Sequence, residues 1–376
     1  MRIAVTILVL CAFGLLTLGT VMLCSAPAGF LHNNFEKQLA FCVLGFMACI
    51  LAACWDYGVL KKVSWPLYIL AVLALVAVLV VGVTRGGARR WFNLGFMLFQ
   101  PSELAKVALI IALAHYAEWN HRQMDRFRTG LLVPALLSGL MLGLILVEPD
   151  FGSAILLGAV AGVMLFVVGV PMKHLAPTAL AGMILVGTFI YLDPMRRGRV
   201  MGSVQKGPPT AELKDVRYQG EQSKIAIGSG GLTGFGLGEG LMKMGRVPEN
   251  HTDFIGSVIG EELGLAATLP LTLAYLAIFL SGLYISTRAR DPFGTYLGLG
   301  LTFLIGLQAI INIGVVTDVL PNKGLPLPLV SYGGSSLVMT MASVGLLLNI
   351  ARHAAEPEPA FAEPLSFADL PSNPIT

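Results

Sequence analysis

The feature that most constrains this chain is a succession of long apolar runs, repeated from its first residues to about position 351. Each is near the ~20 residues that a helix needs to cross a ~30 Å hydrocarbon layer. Runs near 3–23, 37–54, 65–84, 103–118, 131–147, 152–170, 175–192, 257–285, 293–317 and 335–351 predict about ten transmembrane helices. In hydrocarbon every backbone N–H and C=O must be bonded within the chain, so lipid-spanning runs of this length are helices. The expected fold class is all-α, a polytopic membrane helix bundle over residues 1–352. A long loop, 193–256, separates the seventh and eighth helices. Arg2 before an apolar run resembles the start of a signal peptide, but 3–23 is long enough to span and more spans follow. We therefore read it as a retained first helix.

Composition narrows the function classes. Only 12% of the 376 residues are charged, against about 25% in soluble domains, and the mean hydropathy is +0.76. A net charge of +3 gives no reason to expect a nucleic-acid partner. The five cysteines, Cys11, Cys24, Cys42, Cys49 and Cys54, fall in or beside the first two apolar segments. Their spacing suits neither a zinc site nor a disulfide framework, and we read them as small apolar fillers. The glycines between Gly228 and Gly240 lack the Gly-Lys-Ser/Thr ending of a P-loop. Neither HExxH nor GxSxG occurs.

Lys and Arg in the short loops set the orientation. A cytoplasmic N-terminus puts Lys61, Lys62, Arg122, Arg126, Arg128, Lys173, Arg288 and Arg290 inside. Residues 353–376, rich in Pro, Ala and Glu, then form a cytoplasmic tail expected to be disordered. The opposing loops are 24–36, 85–102, 148–151, 193–256 and 318–334. The long one carries many cations, but long loops cross largely regardless of charge. The short 85–102 loop holds Arg85, Arg89 and Arg90 outside against the preference, which points to an anionic partner. The alternative is helix-end arginines meeting lipid phosphate.

Five stretches are too polar or too turn-rich to face lipid, and this topology puts all five on the outer face. In 86–109, Pro101 suits a first helical turn with Gln100 or Ser102 near the cap. Glu103 and Lys106 are spaced to share a helix face, as a plain ion pair or as the lining of a wet cavity. In 147–154, Glu148 and Asp150 bracket Pro149, to bind a cation or to hydrate a turn. The glycines within 218–240 let the backbone approach something closely, or leave it flexible. In 247–265, Glu249, His251 and Asp253 precede a helix carrying Glu261 and Glu262. Asp253 is either a helix cap or a functional base. In 321–337, Ser331, Ser335 and Ser336 are donors to a substrate or caps for the last helix. Together they describe an outward-opening cavity with carboxylates, cations and glycine-rich walls.

The stretches ARRWFNLGFMLFQPSELAK, VEPDFGSA, YQGEQSKIAIGSGGLTGFGLG, PENHTDFIGSVIGEELGL and GLPLPLVSYGGSSL occur in this order. With them, roughly residues 10 to 352 resemble the shape, elongation, division and sporulation (SEDS) family, the FtsW/RodA/SpoVE group. VIGEELGL, RDPFGTYLGLGL and NIGVVTDVLPNKGLPLPLVSYGGSSL look more like the division branch than the elongation branch. Glu148 departs from the Gln usual before Pro-Asp, and Asp318 from a frequent Gly. The resemblance implies a peptidoglycan glycosyltransferase that polymerises lipid II, a disaccharide-pentapeptide on undecaprenyl pyrophosphate. It implies partnership with a class B penicillin-binding protein and other division or elongation proteins, in the bacterial cytoplasmic membrane.

Asp253 matches the family's essential aspartate in the HTDF motif and is expected to be the general base. Phe254 and limited solvation are expected to raise its proton affinity. Arg89, Arg90 and Lys106, with Lys224, are the candidate cations for the leaving pyrophosphate. Gln100, Glu103, Asp150, His251, Glu261, Ser331 and Ser335 complete the expected substrate-binding set. No metal ligands are assigned; a divalent cation, Mg or Mn, is left open. Two other readings stand beside this one. A lipid II flippase predicts polar residues continuing to the cytoplasmic side, and a non-catalytic division scaffold predicts that Asp253 is dispensable. An ion transporter suits the carboxylates but does not require the glycine-rich loop.

Overall fold

The computed structural model describes residues 1–25, 28–85, 88–95, 97–192, 214–240, 252–321 and 324–354. Among them are twelve α-helices: α1 (Arg2–Cys24), α2 (Ala28–Cys54), α3 (Val59–Val81), α4 (Pro101–Trp119), α5 (Val133–Val147), α6 (Phe151–Val168), α7 (Met172–Leu192), α8 (Lys214–Gly230), α9 (Ile255–Leu263), α10 (Leu265–Thr287), α11 (Pro292–Val316) and α12 (Gly334–Arg352). Eight helical segments are long and apolar enough to cross a membrane, and the chain is a multi-pass membrane protein. Most expected spans fall on one helix each. The run 257–285 does not: it is two helices, α9 and α10, broken at Gly264. The all-α bundle also carries one small antiparallel sheet, β1 (Val83–Arg85), β2 (Ala88–Asn93) and β3 (Leu98–Phe99), in the order β1-β2-β3. His251 and the tail from 355 lie outside the described residues.

Helix α11 is the central post, packed against α4, α6, α8, α9, α10 and α12. Around it α2 lies on α12, α1 on α10 and α3 on α4. Local chemistry sets the helix starts. Pro101 opens α4, where its missing N–H takes the place of an unbonded donor. The side chains of Asp150 and Asp291 accept the Ser153 and Gly294 N–H groups, both at 3.1 Å, and so cap α6 and α11.

One end of the bundle is latched by polar groups. Lys61 Nζ lies 2.7 Å from Glu118 Oε1 and 2.5 Å from Asp291 Oδ2, and the Tyr57 hydroxyl donates to Asp291 Oδ1 at 2.7 Å. This ties α3, the end of α4 and the start of α11. Nearby, Asn349 Nδ2 of α12 donates to the Ala52 carbonyl at 2.7 Å and to that of Trp55.

The break at Gly264 exposes backbone groups on both of its sides, and the glycine-rich turn after α8 satisfies them. Phe235 and Gly236 donate to the Glu261 and Glu262 carbonyls at 3.0 and 2.9 Å. Leu265 and Ala266 donate to Gly231 and Leu232, each at 3.0 Å. Gly264 has φ +66° and ψ −161°, a conformation essentially reserved for glycine. Gly234 has φ +74°, and a Cβ there would lie 2.1 Å from the Glu262 carbonyl oxygen. The approach expected of these glycines is thus to the chain's own backbone.

Gly234→Ala adds a left-handed penalty of about 1–2 kcal/mol to that overlap. Its unfolding midpoint in detergent, followed by tryptophan fluorescence, is expected to fall by roughly 5 °C or more. Gly143→Ala, at a helical site with nothing within 4 Å of the added Cβ, is expected to match the parent or exceed it.

Candidate functional site

At the end away from the latch, the polar stretches meet. The Arg90 guanidinium of β2 donates to the carbonyls of Glu148, at 2.9 Å, and Pro149. Gln100 Nε2 donates to Ser102 Oγ at 2.9 Å and Asp150 Oδ2 at 3.2 Å. The Gln100 N–H donates to Ser335 Oγ at 3.0 Å, and the Ser335 hydroxyl donates to the Leu98 carbonyl at 3.1 Å. Arg90, Gln100, Asp150 and Ser335 therefore join the sheet, the α5–α6 turn and the starts of α4 and α12. The Ser335 hydroxyl is engaged in that scaffold.

One turn into α4, Lys106 Nζ is 2.8 Å from Glu103 Oε2, with both side chains buried. Lys106 also reaches Gln308 Oε1 of α11 at 3.5 Å. Removing one partner of such a buried pair typically costs about 3–5 kcal/mol, because the other charge is left behind. The pair borders a cavity of about 10 Å³, which Gln308, Pro328, Thr340 and Ser343 also line. That is at the lower limit for a single water. Of the two alternatives left open by the sequence, the ion pair is formed, and it borders this small cavity.

Asp253 lies in the turn leading to α9. Asp253 stands one residue before Phe254, the cap position of α9. It is half-buried and faces Gly324, where an added Cβ would be 3.5 Å from Asp253 Oδ2. Its own carbonyl accepts from Asn312 Nδ2 at 2.8 Å. The preceding carbonyl, of Thr252, accepts from the Ser331 hydroxyl at 2.6 Å, and Ser331 Oγ accepts from the Leu327 N–H at 2.7 Å. Ser331, expected as a substrate donor, is buried and holds this turn.

The remaining expected residues divide. Lys224 of α8 pairs with Asp318 Oδ2 at 2.7 Å and is half-exposed. Asp318 has φ +58°, which explains why glycine is comfortable there; the aspartate adds the ion pair. Arg89 is exposed, and its side chain makes no ion pair or hydrogen bond among the described residues. Glu261 is buried beside Gly240. Its neighbour Glu262 accepts from the Ser25 hydroxyl and the Gly238 N–H, tying the end of α1 to the glycine-rich turn. Sequence reasoning missed Gln308 and Asn312. The signal was available: two amides four residues apart inside an otherwise apolar helix, where polar groups are expensive unless bonded.

These features define a class: a multi-pass helical membrane protein with polar side chains at both ends of the bundle, paired into a latch at one end and, at the other, holding irregular backbone beside the carboxylates of Asp150 and Asp253. Residues 2–356 match the FtsW/RodA/SpoVE family, described as "Cell cycle protein", and the chain belongs to that family. Among its relatives, the probable peptidoglycan glycosyltransferase FtsW of Geobacter metallireducens is 37% identical over 357 residues, covering 92% of this chain and 93% of its own. That of Bacillus subtilis is 35% identical over 355 residues, with 92% and 88% covered. Among solved structures, a chain from a study of polymerization and crosslinking by a peptidoglycan synthase complex superposes with a TM-score of 0.78. It is 32% identical, with 92% of this chain and 96% of that one covered. The rod shape determining protein RodA of Thermus thermophilus gives 0.70 at 30% identity, with 93% and 97% covered.

Glu148 is fully buried, and neither carboxylate oxygen has a partner among the described residues. Burial, then the nearby Asp150 charge, pushes its pKa up to about 8, against the opposing pull of Arg90. A carboxyl whose pKa is raised by folding stabilises the protein most below its ordinary value, and this contribution fades as pH rises through about 8. Glu148→Gln keeps the shape and removes the titration. The expected result is a higher melting temperature than the parent at pH 8.5 and a difference near zero at pH 5. Parallel melting curves from pH 5 to 9 contradict it.

Proposed function

We propose that this chain is a peptidoglycan glycosyltransferase that polymerises lipid II into glycan strands, with Asp253 as the general base. The observation that carries the reading is the placement of Asp253: a half-buried carboxylate on a non-helical turn, fixed by main-chain hydrogen bonds from Asn312 and Ser331. Membership of a family whose curated relatives bear that activity in their names supports it. The naming of those relatives as FtsW favours the division branch.

The reaction follows from the residues. Asp253 takes the proton from the acceptor sugar's 4-hydroxyl as that oxygen attacks the donor's anomeric carbon. The bond from that carbon to the pyrophosphate oxygen breaks, and its electron pair leaves with the lipid pyrophosphate. One base on the acceptor, attacking from the face opposite the leaving group, inverts the anomeric centre. The leaving group needs positive charge. Arg90 and Lys106 are engaged within the protein and Lys224 is paired, so Arg89 is the candidate best able to turn its guanidinium to phosphate oxygens. A lipid-anchored substrate suits a site at the end of the bundle, where the carrier chain stays in the bilayer and the sugars stand outside it. By the charge distribution of the loops, that end is extracytoplasmic and both termini are cytoplasmic. A transpeptidase of the class B penicillin-binding type is the expected partner, beside other division proteins. Among the described residues no three carboxylate, histidine or cysteine groups meet to hold a cation, and no step is routed through one.

The test is glycan polymer on a gel from labelled lipid II, using the chain reconstituted with its cross-linking partner, with and without Mg²⁺ or Mn²⁺. Wild type is expected to give polymer and a folded Asp253→Asn variant none; polymer from both removes Asp253 as the base. Arg89→Ala is expected to lower kcat/KM about tenfold to hundredfold, the loss of about 1.5–3 kcal/mol from a charged hydrogen bond. Partial recovery in Arg89→Lys would mark a charge that meets phosphate, and an unchanged kcat/KM would remove Arg89 from the site.

A further inference from the structure

Two buried amides on α11 connect polar groups that come from distant parts of the chain. Gln308 and Asn312 are four residues apart and so share a helix face. Gln308 Oε1 meets Lys106 Nζ at 3.5 Å, while its Nε2 donates to the Pro326 carbonyl at 2.9 Å. Asn312 Nδ2 donates to two carbonyls, Leu325 at 2.7 Å and Asp253 at 2.8 Å. Both acceptors lie in non-helical segments, where no helical turn satisfies them. With a carbonyl on each side, the amide must present its NH₂ group, so its orientation is dictated by the network. An amide inside a membrane helix is unfavourable unless bonded, and Asn312 has two bonds here, one of them to the Asp253 main chain.

We infer that Asn312 is a positioning residue for the glycosyl transfer: it pins the Asp253 backbone to the Leu325 backbone and thereby aims the Asp253 carboxylate along the Gly324 wall. This rests on the reading of Asp253 as the base. Gln308, one turn earlier, extends the same tie to Lys106 of the ion pair. Asn312 touches no reacting atom; it acts through the position of Asp253. A displacement of about 1 Å in a catalytic group is enough for a loss on the order of a hundredfold.

The molecule carries its own control. Asn349 is also a buried asparagine in an apolar helix, donating through Nδ2 to two main-chain carbonyls, Ala52 and Trp55, but at the latched end. Asn312→Leu, which keeps the approximate shape and removes both donors, is compared with Asn312→Ala, Asn349→Leu and Asp253→Asn in the full-length chain with its cross-linking partner. Lipid II polymerisation and thermal unfolding are measured on the same preparations. The expected result is a kcat lowered at least tenfold in both Asn312 variants with KM changed less than threefold, and a kcat unchanged in Asn349→Leu at comparable loss of melting temperature. A wild-type kcat in Asn312→Leu, or a loss that only tracks the folded fraction as in Asn349→Leu, overturns the inference. So does failure of both Asn312 variants to fold while Asn349→Leu folds, which makes Asn312 a determinant of the fold. An active Asp253→Asn variant instead fails the base assignment itself; an inactive one beside a fully active Asn312→Leu fails only the positioning role.

Discussion

A lysine inside a membrane bundle must have its charge answered by the protein, since hydrocarbon offers nothing. Here Lys106 is answered by Glu103, three residues earlier on the same helix, and by Gln308 across the cavity. Because α4 and α11 each carry part of that arrangement, the helices are fixed in rotation as well as in distance. The polar groups above the pair inherit this registration. Gln100 and Ser102 follow from the start of α4, and Asn312 from the next turn of α11.

The two ends of the bundle use polar chemistry differently. At the latched end side chains pair with one another, Lys61 with Glu118 and Asp291 and Tyr57 with Asp291, while Asn349 holds main chain. The ion-paired groups are partly exposed, and such pairs contribute about 0–1 kcal/mol each; their role is to align helix ends. At the site end, side chains mostly bond to main chain. Arg90 holds the Glu148 and Pro149 carbonyls, Ser331 that of Thr252, Ser335 that of Leu98, and Asn312 those of Asp253 and Leu325. Irregular backbone at membrane depth survives only where protein or water satisfies it. The serines, the arginine and the amides make irregular walls possible, and irregular walls let a carboxylate stand outside any helix.

Much of this was legible in the sequence, for identifiable reasons. Apolar runs near 20 residues locate helices because hydrocarbon permits no other backbone arrangement for them. Pro101 opens α4 where local rules place it, whereas Asp150, read only as a cation ligand or a turn residue, caps α6. Glu103 and Lys106 meet because three residues make nearly one helical turn. Less legible was the break at Gly264, since one apolar run continues through it and only a φ of +66° with a docked glycine turn reveals two helices. Ser331 and Ser335, expected to donate to a substrate or to cap the last helix, donate to carbonyls distant in sequence, which no local pattern announces.

The sequence by itself determined the membrane environment, the family, the helices and the five polar stretches, because each rests on composition or on spacing within a few residues. The tertiary structure decided which polar groups answer one another. Lys224 meets Asp318, Gln100 meets Asp150, and Asn312 meets both Asp253 and Leu325. Those pairings join residues up to many helices apart, and they depend on how far each helix is rotated about its axis, which packing sets and local sequence does not encode.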